Sequence, residues 1–100
     1  MDLKPLGIVK EIVETAGMSI SYAYDDLVFI AHNAYLLQFT DKNSELMIHV
    51  NSEADESAIQ EDITRLKAEA SARNIVFKDG SRYTLSQEGN ENIRLEFAKR

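Results

Sequence analysis

The chain has 100 residues, 44% of them hydrophobic and 28% charged, which suits one domain with a core of its own. It has no cysteine, so disulfides, thiolate zinc sites and thiol nucleophiles are excluded together. Seventeen acidic residues against eleven basic give a net charge of −6. That charge repels a phosphate backbone, and Arg65, Lys67 and Arg73 sit among Glu61, Asp62 and Glu69 instead of forming a basic stripe, so nucleic acid is not an expected partner.

Asp2, Lys4, Lys10, Glu11 and Glu14 interrupt the first sixteen residues, which do not read as a signal peptide. The longest apolar run, Leu27 to Ala31, is far short of the ~20 residues of a membrane helix. No membrane association is expected. A reducing, cytoplasmic setting is the reading that the cysteine-free composition suits.

In chain order, Pro5 and Gly17 bracket a first helix over about residues 4–16. Its apolar arc holds Leu6, Ile8, Val9, Ile12, Val13 and Ala16, so this helix is expected to lie well down on a core. Four strands follow. Tyr22 and Tyr24 alternate with small residues, and a two-residue Asp25-Asp26 turn places Tyr24 opposite Leu27 and Tyr22 opposite Phe29. A three-residue turn, His32-Asn33-Ala34, then sets Phe29 opposite Leu37, keeping the apolar residues on one face. Beyond a turn at 41–44, Phe39, Leu37 and Tyr35 oppose Leu46, Ile48 and Val50.

The segment from Ser52 to Ser57 offers several helix caps, including the pattern Ser57-x-x-Gln60. The helix it opens runs to about Arg73 with a narrow stripe of Ile59, Ile63, Leu66 and Ala70. Glu61, Arg65, Glu69 and Arg73 form an i,i+4 ladder that reads as a solvated flank. Lys78-Asp79-Gly80 reads as a hairpin with Gly80 left-handed, placing Ile75, Phe77, Tyr83 and Leu85 together. A last strand carries Ile93, Leu95 and Phe97 after the turn signal at Gly89-Asn90. The expected fold is a single α+β domain over residues 1–100. Two helices pack on a mainly antiparallel sheet of up to seven strands, in the order α-ββββ-α-βββ.

Motifs that carry chemistry are few. There is no Gly-rich phosphate loop and no Gly-x-Ser-x-Gly elbow. Asp41-x-Asn43-x-Glu45 opens like a calcium loop but has Leu46 at the sixth position and Ser52 at the twelfth, and reads as a plain turn. His32 and His49 fall at one end of the sheet as candidate metal ligands, but a third ligand is not evident and they read as surface histidines. No catalytic residue and no cofactor is expected. On the back of the sheet, Val28, Ile30, Leu36 and Met47 fall side by side, out of phase with the core-facing series. That patch suggests a small non-catalytic interaction module, self-associating as a homodimer or binding another protein through the back of its sheet. The alternative is a small-ligand carrier or an enzyme using a cleft between helix and sheet.

Overall fold

The computed structural model describes residues 6–42, 44–88 and 92–97. In chain order the elements are α1 (Leu6–Thr15), β1 (Ile20–Tyr24), β2 (Leu27–Ile30), β3 (Tyr35–Phe39), β4 (Glu45–Asn51), α2 (Glu56–Ala72), β5 (Val76–Glu88) and β6 (Asn92–Phe97). The six strands form one sheet in sequence order. Every neighbouring pair is antiparallel except β4 and β5, which run parallel across the α2 crossover. The α+β class and the helix, four strands, helix order expected from the sequence are the observed ones. The segments on either side of Lys78-Asp79-Gly80 are one continuous strand, so the sheet has six strands and is mixed.

Both helices end or begin where their sequence signals lie. Gly17, at φ +87°, sits just past α1, where the Gly17 N–H donates to the Glu14 carbonyl and the Met18 N–H to that of Val13. This is the paired closure that a left-handed residue permits at a helix C-terminus. At the start of α2 the cap is Asp55, whose carboxylate accepts from the Ser57 N–H at 3.0 Å and the Ser57 hydroxyl at 2.8 Å. Asp55, not Ser57, is the cap, so the helix starts two residues earlier than a Ser57 cap would allow.

Both helices cover one face of the sheet. Val9, Ile12 and Val13 of α1, Ala16 just beyond it, and Leu66 and Ala70 of α2 pack in one cluster with Val28, Ile30, Tyr35, Leu37, Phe39, Leu46, Ile48, Ile75 and Phe77. Leu6 and Ile8, expected within the buried arc of α1, are instead exposed. The Tyr35 hydroxyl donates to Asp62 of α2 at 2.6 Å, satisfying the one polar atom of a ring buried among apolar neighbours. The charge ladder of α2 does more than face solvent. Arg65 and Arg73 pair with Glu61 and Glu69 as the spacing implies, but Arg65 also donates to the Ala16 carbonyl and Arg73 to Glu11. Two arginines thus tie α2 to α1.

The largest departure from the sequence reading is in β2. Leu27 pairs with Gln38, Phe29 with Leu36 and Ile30 with Tyr35, one residue away from the expected register. The turn therefore has four residues, Ala31 to Ala34. A one-residue slip inverts a strand, so Val28 and Ile30 lie under the helices and Phe29 faces the other way. Two of the four residues expected on the back of the sheet, Val28 and Ile30, are thus core, while Leu36 and Met47 remain on the back. The registers of β1 on β2 near their turn and of β3 on β4 are as expected, so Tyr22 and Tyr24 follow Phe29 to the back.

Because Ile30 is fully buried among helix and strand side chains, Ile30→Ala is expected to destabilise by about 2–5 kcal/mol. Urea denaturation checks this. A loss below about 1 kcal/mol, as for a surface truncation, contradicts the inward orientation of β2.

Candidate functional site: the concave face of the sheet

Three breaks in strict alternation shape the face that no helix covers. In β1, Ile20 pairs with Ile30 but Tyr22 pairs with Phe29, so Ser21 is an extra residue. Ile20 therefore packs against the core while Tyr22 and Tyr24 turn to the open face. In the β2–β3 turn, Ala31, His32 and Asn33 are all left-handed, with φ of 54°, 55° and 68°. Each non-glycine residue there costs roughly 1–2 kcal/mol. Hydrogen bonds hold the turn in place. The Asn33 N–H donates to the Ser21 hydroxyl, and the Asn33 carbonyl accepts from the Tyr83 hydroxyl at 2.6 Å and the Asn51 amide at 2.9 Å. The Asn33 side-chain oxygen is buried without a partner among the described residues.

The third break is in β5. Ile48 pairs with Asp79 and Val50 with Arg82, so His49 alone faces Gly80 and Ser81. This bulge replaces the hairpin expected at Lys78-Asp79-Gly80, and Gly80 is not among the residues at positive φ. Glycine is needed for another reason: a β-carbon at this position would overlap the His49 ring. The Ser81 N–H, left without a ladder partner by the bulge, donates to His49 Nδ1 at 3.0 Å. That contact makes Nδ1 the acceptor, so Nε2 carries the proton and donates to Gln38 Oε1 at 3.0 Å. The ring lies 4.7 Å from that of Phe97. His49 is therefore a buried structural histidine, and burial pushes its pKa down. His32 is exposed in the strained turn. Among the described residues no group of three potential metal ligands forms.

Beyond the bulge β5 presents Tyr83 and Leu85 to the open face, paired with Phe97 and Leu95 of β6. Three strand steps at about 4.8 Å each would hold β2 and β5 about 14 Å apart in a flat sheet. The Phe29 and Tyr83 rings nonetheless meet edge to face at 6.2 Å between centroids. Leu36, on the intervening β3, is fully buried although no helix lies on that side. The sheet is curled, and its two ends lean toward each other.

Between them lies a cleft of about 480 Å³. Tyr22, Tyr24, Leu27 and Phe29 form one wall and Leu85 and Leu95 the other, with Asn33 at the side. Tyr22 and Tyr24 are 58% and 63% exposed, their rings 12° from parallel with centroids 6.4 Å apart. Phe97, 40% exposed, extends the apolar surface away from the cleft. The expected interface of Val28, Ile30, Leu36 and Met47 is not this surface, for Val28 and Ile30 are core and Leu36 is sealed beneath the open face. The cleft also differs from a helix–sheet cleft, since its lining comes from strands and the β2–β3 turn and from neither helix. Sequence reasoning missed Leu85 and Leu95, whose alternation was visible but whose approach to Tyr22 and Tyr24 depends on the curl.

No family model, curated protein or solved structure matches the chain. Among the described residues no helix is long and apolar enough to cross a membrane.

Two outcomes follow from the bulge. Gly80→Ala is expected to destabilise by about 1–3 kcal/mol, because the methyl group displaces the His49 ring. Gly7→Ala, in open space on α1, is expected to be neutral or mildly stabilising. Thermal denaturation of both variants checks the pair, and equal effects contradict the close approach. The second outcome concerns pH. A histidine whose folded pKa lies below its ordinary value near 6.5 is protonated more readily when unfolded, so it stabilises above that pH and the contribution fades as pH falls. Between pH 7.5 and 5 the native protein should lose stability faster than His49→Gln, as followed by urea midpoints. Parallel curves contradict a buried neutral His49.

Proposed function

We propose that the protein is a small non-catalytic binding module whose working surface is the concave face of its sheet. The observation that carries this reading is the cleft of about 480 Å³ between the two ends of the curled sheet, apolar in lining and left open by both helices. Its volume falls within the range of sites that enclose small molecules. A binding role suits it better than catalysis, because no carboxylate, imidazole or amine is found among the described residues lining it. A cytoplasmic setting belongs to the same proposal, supported by a cysteine-free composition that suits a reducing compartment.

Self-association is the second reading, favoured by the exposure of Tyr22 and Tyr24 at the cleft and of Phe97 beyond it. A two-fold dimer through this face sets each cleft against its own copy. Two concave surfaces then enclose a void where a stable interface needs a projection filling each hollow, so the cleft favours a guest over a second copy.

The neutral environment-sensitive dye prodan tests the reading. Its emission is expected to shift to the blue with the native protein, and Leu85→Arg, which puts a charge into one wall, is expected to abolish the shift while circular dichroism stays native. No shift at high micromolar protein, or a shift indifferent to Leu85→Arg, overturns the binding-module reading. Sedimentation velocity on the same samples then tells whether a dimer, separable by Tyr24→Lys, occupies the face instead.

A further inference from the structure

We infer that the guest of the concave cleft is a neutral, flat aromatic small molecule, held between the tyrosine pair of β1 and the leucine pair of β5 and β6. The inference rests on the binding-module reading and narrows it to a ligand class.

Three observations set the chemistry. The first is charge. The chain is 28% charged, yet none of the described residues lining the cleft carries a charge. A charged guest would lose its hydration there and find no opposite partner, whereas a neutral one gives up only water that the apolar walls hold weakly.

The second is the state of the tyrosine rings. Strand residues two apart share a face at a spacing of about 6.6 Å, so like rotamers set their rings side by side. Tyr22 and Tyr24 stand almost parallel, 12° apart with centroids separated by 6.4 Å, while more than half of each residue remains accessible. Parallel, accessible rings offer π faces and edges to a third ring in the offset or edge-on arrangements that aromatic pairs prefer. Phe29, half-buried beside them and already edge-on to Tyr83, continues the aromatic wall. Aliphatic guests would fill the same space but gain nothing from these ring geometries.

The third is the opposite wall. Leu85 and Leu95 are directly paired across β5 and β6, so their side chains sit side by side as a flat aliphatic surface. An aromatic wall facing an aliphatic wall makes a slot, and a flat molecule fills a slot with more contact than a globular one of equal volume.

The test uses three probes of one carbon skeleton: 2-naphthol, its saturated counterpart decahydro-2-naphthol, and the anion 2-naphthoate. Binding is followed by backbone amide chemical shifts of the full chain in titrations at neutral pH. The expected result is that 2-naphthol binds about tenfold more tightly than the saturated alcohol, with naphthoate weaker than both. The variant carrying Tyr22→Leu and Tyr24→Leu is expected to keep the saturated alcohol and lose the tenfold preference, a change that mere loss of folding would not produce. Equal binding of 2-naphthol and decahydro-2-naphthol to the native protein overturns the aromatic class while leaving the binding-module reading intact. Naphthoate binding as tightly as 2-naphthol overturns neutrality. Absence of binding by all three, in protein whose cleft also leaves prodan unshifted, overturns the underlying reading along with this one.

Discussion

One hydrogen bond carries much of the architecture: the Ser81 N–H donating to His49 Nδ1. A bulge in a parallel pair leaves a backbone amide without its ladder acceptor, and a buried amide in that state costs about 1–3 kcal/mol. The imidazole satisfies it from the neighbouring strand, and Gly80 provides the room for the ring to lie flat. With the bulge held, β5 changes face partway along. Phe77 points to the helices, and Tyr83 and Leu85 point to the open side. Strict alternation would send Tyr83 and Leu85 to the side of Ile75 and Phe77. The strand's far half would then turn its apolar residues to the convex side, where Arg82, Thr84 and Ser86 now meet solvent, and the cleft would lose a wall.

The other two breaks act on the opposite end of the sheet in the same way. Ser21 in β1 and the left-handed turn after β2 together bring Tyr22, Tyr24 and Phe29 to the concave side. The breaks are linked, because Ser21 accepts from the backbone of Asn33 and Tyr83 donates to it. A residue from each end of the sheet therefore converges on the same turn. The strain of three consecutive left-handed residues is offset by contacts that also hold the curl.

What could be read from the sequence follows from which signals are local. Gly17 past an apolar arc, and acidic or hydroxyl residues ahead of the second helix, mark helix ends through backbone chemistry that needs no tertiary context. The β3–β4 register was legible because Leu46, Ile48 and Val50 alternate with polar or weakly apolar residues, so one face stands out. In β2 that lever is missing: Leu27, Val28, Phe29 and Ile30 are apolar on both sides, and either parity gives a greasy face. Loop length was then decided by left-handed backbone at Ala31, His32 and Asn33, none of them glycine, which leaves little trace in residue type. Asp-Gly at 79–80 carries a strong hairpin signal, but here it serves a bulge, and only the position of His49 distinguishes the two uses. Since the candidate site lies where two such non-local choices meet, its walls were visible as separate alternating segments and their meeting was not.

The parallel pairing of β4 with β5 also orders the assembly of the chain. Strands β1 to β4 join through short turns, so their ladders close with little loss of loop entropy. The partner of β4 arrives only after α2, and a crossover of that length cannot close as cheaply as a hairpin. Contact order therefore favours the meander with α1 as the early unit and the β5–β6 arm as the late one to dock. The cleft comes into being with that final docking. Native-state amide exchange should find its second wall opening at lower free energy than the first, so one side of the cleft loosens more readily than the other.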